Sequence, residues 1–148
     1  MIRGLPLPNN LAGFVHFDQA IVVNPKDSLA YNNRGLAYRN KGETDKAIAD
    51  YQQAIKLNPN YALAFYNRGI AYYDKRDFDK ASTDLNRAIK INPNSPGALF
   101  GRGVAKLMKG DLGASNADFE VAKQIKPSIA EEFSKVGVRS VPPVNLVQ

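Results

Sequence analysis

Small and apolar residues fall at helical spacing in segments of about 14 residues, and each segment has a counterpart 34 residues further on. Small positions read Ala30/Ala64/Ala98, Ala37/Ala71/Ala105 and Ala54/Ala88/Ala122, and large ones read Tyr31/Phe65/Leu99 and Tyr51/Leu85/Phe119. Polar positions keep the same beat. They include Arg34/Arg68/Arg102, Asp50/Asp84/Asp118 and the dipeptides Asn24-Pro25, Asn58-Pro59 and Asn92-Pro93, with Lys126-Pro127 continuing the phase. A period of this length marks a unit of two helices that cannot bury its apolar faces alone and must stack on its neighbours.

The pattern predicts helices over about 28–41 and 44–57, 62–75 and 78–91, and 96–109 and 112–125. Gly42 and Gly110 stand as left-handed stops, Thr44 and Asp77 as caps, and Pro96 follows Ser95 at a first helical position. Gly35, Gly69 and Gly103 lie in helix interiors, where glycine costs about 1 kcal/mol relative to alanine, so they are expected to permit close backbone approach. The ends are incomplete. Phe17 and Ala20 fall on positions of a second helix, so about 12–23 reads as half a unit, a fragment of a longer array. Phe133 and Gly137 fall on the aromatic and glycine positions of a further first helix, about 128–138, with Glu131, Glu132 and Lys135 suited to a polar cap. Pro142-Pro143 predict an extended tail.

Tyr31, Gly35, Tyr38, Ala47, Tyr51, Ala54 and Pro59 in the first unit resemble the tetratricopeptide repeat family, whose pattern sets aromatic, glycine, alanine and proline positions at these intervals. Phe65, Gly69, Tyr72, Ala81, Leu85, Ala88 and Pro93 repeat it. The third unit keeps Leu99, Gly103, Phe119, Ala122 and Pro127 but departs at Lys106 and Ser115, which suggests a looser repeat. All three units carry Arg before the glycine, where the family usually has Leu. The resemblance implies an all-α, right-handed α-solenoid of three full helix pairs with a C-terminal capping helix. Its parts would be a segment 1–11, a partial unit 12–27, repeats 28–61, 62–95 and 96–127, the cap 128–138 and the tail 139–148.

The same resemblance implies that first helices line a concave groove. Leu29, Asn32, Asn33, Leu36 and Arg39 would face it from unit one, and Leu63, Tyr66, Asn67, Ile70, Tyr73 and Asp74 from unit two. Gly97, Phe100, Gly101, Val104, Leu107 and Met108 follow from unit three. Leu36, Ile70 and Val104 with Tyr66, Tyr73 and Phe100 would form an apolar floor edged by Asn33 and Asn67, whose amides could pair with the backbone of an extended peptide. Burial against the next unit or the terminal helix is the other reading of these apolar residues, and occupation of the groove by the tail is a third. The family's carboxylate clamp for acidic chaperone C-termini is not matched. Its basic positions hold Asn32, Gly97 and Gly101, its first asparagine is Leu36, and only Asn67 agrees, so no binding of that type is expected.

The 148 residues carry a net charge of +6 and no cysteine, which excludes disulfides and thiolate metal sites. The basic excess sits late in the first helices, at Arg39, Lys41, Lys75, Arg76, Lys106 and Lys109, either offsetting helix dipoles or forming an edge for acidic partners. Arg34, Arg68 and Arg102 stand 16 residues before Asp50, Asp84 and Asp118, which predicts a ladder of ion pairs; the alternative is an arginine row open to anionic ligands. His16 is the single histidine, so neither a catalytic dyad nor a metal or cofactor site is expected, and the chain reads as non-catalytic. No signal peptide is visible, which points to the cytoplasm. The leading expectation is a scaffold that binds a peptide or helix of a partner protein. Self-association through the open N-terminal end is the alternative, and single-stranded nucleic acid is a weaker one.

Overall fold

The computed structural model describes residues 9–135. Among them lie eight α-helices and no strand: α1 (Asn9–Val23), α2 (Ser28–Asn40), α3 (Thr44–Leu57), α4 (Ala62–Asp74), α5 (Phe78–Ile91), α6 (Pro96–Met108), α7 (Leu112–Ile125) and α8 (Ile129–Lys135). The pairs α2/α3, α4/α5 and α6/α7 make the most extensive contacts, and α3 with α4 and α5 with α6 join one pair to the next. This is the stacked helical solenoid that the 34-residue period predicts. The expected tail and residues 136–138 of the expected cap, Gly137 among them, lie outside the described residues.

The Asn-Pro beat has a local cause. Asn58 and Asn92 donate their amides to Ala54 and Ala88 as the last bonds of α3 and α5, then turn extended at φ −134° and −130°, the region that a following proline requires. Their side-chain oxygens accept from the amides of Asn60 and Asn94 at 3.2 Å, and Asn24 does the same for Lys26 at 3.1 Å. One residue thus closes a helix and folds the turn after it.

Asp27, Ser95, Asp77 and Asp111 each accept a first-turn amide, from Ala30, Ala98, Lys80 and Ala114. Thr44 does not cap: it is the first residue of α3, and Glu43, which precedes it, makes no side-chain cap bond. The turn between first and second helices needs a left-handed residue. Gly42 (φ 80°) and Gly110 (φ 86°) provide it, and in the middle unit Arg76 (φ 61°) is held there without glycine's freedom.

A methyl group on Gly35 would lie 2.7 Å from the Tyr51 ring, on Gly69 2.9 Å from Leu85, and on Gly103 2.7 Å from Phe119. The interior glycines therefore set the close approach of each first helix to its second helix. Tyr51, Leu85 and Phe119 fill the space so created and are fully buried. The larger core cluster spans α4 to α8, and a smaller one joins α2, α3 and α4 around Ala47, Tyr51 and Ala71.

The arginine ladder is present in all three units. Arg34 Nε and Nη2 donate to Asp50 at 2.7 and 2.8 Å, Arg68 to Asp84 at 2.7 and 2.8 Å, and Arg102 Nε to Asp118 at 2.8 Å. Arg34 also reaches back to Asp18 on α1, and Arg102 to Asn86 on α5, both at 2.8 Å, so the row ties neighbouring units together. The two departures in unit three are accommodated. Lys106 adds a second cation to Asp118 at 2.9 Å, and the buried Ser115 hydroxyl donates to the carbonyl of Leu112.

Candidate binding groove

The first helices α2, α4 and α6 adjoin one another, and their faces turned away from α3, α5 and α7 form the candidate groove. Leu29, Leu63 and Leu36 stand in it at 55, 50 and 37% exposure. Leu29 and Leu63 are one period apart, and Gly97 follows in the same register. Asn33, Leu107 and Met108 are partly exposed, the last two resting against the core. Tyr66 is half-buried, and that burial raises its hydroxyl pKa.

Much of the expected floor belongs to the interior. Ile70, Tyr73, Phe100 and Val104 are buried core residues, not groove surface. Phe100 lies against Phe119 and Phe133, with ring centroids 4.8 and 5.1 Å away, and Tyr73 packs on Phe78 at 5.5 Å. The physical reason is the closeness of successive first helices, which leaves one face of each to pack on the next. Asn32 and Asn67 are likewise buried. Asn67 Nδ2 donates to Asn32 Oδ1 at 3.0 Å. These amides join two units, so of the expected asparagine edge Asn33 alone is partly exposed.

Five of the six late basic residues are engaged by carboxylates, and Arg76 lies over the Phe78 ring. Arg39 pairs with Asp74 across units at 2.6 Å, Lys75 with Asp45, Lys109 with Asp79, Lys106 with Asp118 and Lys41 with Glu43. The Asp45–Lys75 and Asp79–Lys109 pairs repeat one connection, a second helix to the next first helix, so the basic row stitches units together.

α8 closes the groove over unit three. Phe133 and Ile129 are buried against α6, while Lys126 pairs with Glu132 at 2.6 Å and the Ser128 hydroxyl donates to Glu132 at 2.8 Å. Between α8 and Leu63, Tyr66, Pro96 and Gly97 a cavity of about 320 Å³ remains. Nothing in the repeat pattern signals this cavity, because it depends on how α8 is turned. No described helix is long and apolar enough to cross a membrane.

Three repeat models match the chain: a tetratricopeptide repeat over residues 16–49, a TPR repeat over 35–76 and a tetratricopeptide repeat over 62–95. A search of curated proteins finds no match. Among solved structures, the first TPR of Spaghetti (RPAP3) bound to the HSP90 peptide SRMEEVD is similar at TM-score 0.68 and 26% identity, covering 74% of this chain and 89% of that one. A crystal structure of MamA is similar at TM-score 0.71 and 28% identity, covering 80% and 69%. The Arabidopsis OM64 TPR domain is similar at TM-score 0.68 and 28% identity, covering 73% and 91%. With matched repeats running from residue 16 to 95, the same period continuing to Pro127 and the same helical stack in the structure, the chain belongs to the tetratricopeptide repeat family.

Proposed function

We propose that this chain is a non-catalytic scaffold whose groove binds a peptide or helix of another protein. The observation that carries the reading is the row of leucines, Leu29, Leu63 and Leu36, left exposed on first helices where Ile70, Tyr73, Phe100 and Val104 are buried. The partner surface includes Tyr66 and Asn33, with Leu107 and Met108 at its far end. Its chemistry is apolar, because the nearby cations are already paired. The engagement of those cations also argues for a protein ligand over nucleic acid, which would need unpaired positive charge along its path.

The ligand differs from the one bound to the RPAP3 domain. With Asn32, Gly97 and Gly101 at the clamp's basic positions, the peptide SRMEEVD should show no micromolar binding by fluorescence anisotropy. Such binding would overturn this part of the reading. The groove itself is tested by a Leu29, Leu36 and Leu63 triple serine variant, compared with wild type and a Lys56, Lys90 double serine control in affinity capture with quantitative mass spectrometry. The expected result is proteins lost from the triple variant and retained by the control; identical capture by all three chains would refute it.

A second reading, self-association through α1, is favoured by Val22 and Val23, which are among the most exposed apolar residues described. The register of Val22 holds Lys56, Lys90 and Gln124 in the full units, polar residues suited to solvent. Sedimentation velocity tests this, and a monomer at every concentration up to the millimolar range would exclude it.

A further inference from the structure

α8 does not continue the stack in register. Where one first helix meets the previous one, Gly97 faces Tyr66, and Gly101 faces Ile70. The equivalent positions in the next unit are Glu131 and Lys135, and both are exposed. Burying those two charges against Phe100 and Val104 would cost several kcal/mol per ion. The helix is turned instead so that Ile129 and Phe133, four residues apart on one face, point inward. Phe133 comes against Phe100 and so close to Gly101 that a methyl group there would be 3.3 Å from its ring. α8 thus sits on α6 as a ligand sits in a groove.

Resting on the reading of the groove as a binding surface, we propose that this seat recognises an amphipathic helix of a partner, with α8 as its resident competitor. The partner helix carries a branched aliphatic residue, an acidic residue three positions on and an aromatic residue immediately after. α8 itself displays that pattern as Ile129, Glu132 and Phe133, so the seat's acceptance of it is visible. The acidic residue answers Lys126, which precedes Pro127 and stays on the rim when α8 leaves. The seat is also larger than its occupant. The cavity beside Leu63, Tyr66 and Gly97 takes a further apolar side chain from the partner helix. α8 is held through two buried anchors, Ile129 and Phe133, so a helix that offers the same two and also fills the cavity can displace it.

The test uses the full chain and a fluorescein-labelled peptide of residues 126–135, followed by anisotropy. In wild type the tethered α8 competes at an effective concentration on the order of millimolar, so the peptide binds weakly. Phe133→Ala empties the aromatic position, and Ser134→Pro breaks α8 from its exposed side while keeping every core side chain. Both variants should bind the peptide at least about tenfold more tightly than wild type, and a peptide with alanine in place of Phe133 should not bind. Circular dichroism reports folding, and Ser134→Pro carries the test if Phe133→Ala does not fold. Equal binding to all folded chains overturns the proposal. So does unfolding of both variants, which makes α8 an integral part of the core. A wild-type dimer that Phe133→Ala abolishes would assign the seat to α8 of a second copy and overturn it too. Leu63 lines the seat's cavity but Leu29 and Leu36 do not, so a Leu29, Leu36 double serine variant in the capture experiment makes failure of the groove distinguishable from failure here.

Discussion

Replacing Asp84 by alanine removes both carboxylate oxygens from Arg68 Nε and Nη2, now at 2.7 and 2.8 Å, and leaves a guanidinium whose side chain is only 18% exposed. Orphaning one member of a fully buried pair costs about 3–5 kcal/mol. Arg68 keeps some contact with water and sits over the Phe65 ring at 5.8 Å, so the figure must be discounted to about 2 kcal/mol. For a domain of this size that lowers Tm by roughly 8 °C. Urea unfolding followed by circular dichroism measures it directly. Arg68→Leu, which restores the family's usual residue, should also destabilise because it strands the buried Asp84. The double variant Arg68→Leu, Asp84→Ala should recover most of the loss, giving a coupling of about 1.5–3 kcal/mol. A loss below about 0.5 kcal/mol for Asp84→Ala, or additive effects in the cycle, would show that the ladder is decorative.

The three units grade the same experiment. Arg34 retains Asp18 after loss of Asp50, so Asp50→Ala should cost less than Asp84→Ala. Asp118→Ala takes the carboxylate from two cations, Lys106 and Arg102, the latter keeping only the neutral Asn86, and should cost the most. Any other order contradicts the desolvation argument, since helix position and residue type are the same in all three.

Three further outcomes follow from single sites. The Tyr51 hydroxyl is buried without a hydrogen-bond partner, and burial pushes its pKa up; Tyr51→Phe should leave stability unchanged or raise it by up to about 1 kcal/mol in urea unfolding, and a loss of that size would contradict the assignment. Arg76 holds φ 61°, so Arg76→Gly should be about 1 kcal/mol more stable than Arg76→Ala, the reverse of helix propensity. Both variants lose the contact with the Phe78 ring at 5.5 Å, which isolates the backbone effect, and equal stabilities would refute the strain. Burial alone would raise the Asp118 pKa, but hydrogen bonds from Arg102 and Lys106 outweigh it and hold the group below the ordinary carboxylate value. Its contribution is therefore complete above about pH 4 and drains as pH falls through the depressed folded pKa. Acid titration of Tm should be shallower in Asp118→Asn than in wild type over that range; parallel curves would count against it.

The frame was legible in the sequence because each frame contact is made three times. Gly35, Gly69 and Gly103 announce close helix approach by recurring, and the arginine and aspartate rows announce their pairing by a constant separation of 16. What escaped are contacts made once, or made between units. Arg76 shows no glycine where the backbone turns left-handed, so the strain is invisible until φ is known. Phe100 and Ile70 occupy groove register but are covered, the one by α8 and the other by α6, and a single helical wheel cannot distinguish covered from open. The turn of α8 follows from an energetic comparison that the register conceals, since it sets the cost of burying Glu131 and Lys135 against the gain from Ile129 and Phe133. That gain is about 1.5–3 kcal/mol for each fully buried side chain, while the avoided penalty is several kcal/mol per ion, so both favour the observed orientation. A repeat therefore specifies its own continuation only while its interface positions stay uncharged. Once Glu131 and Lys135 replace Gly97 and Gly101, the next helix must dock differently, and it is there that the chain departs from its own period.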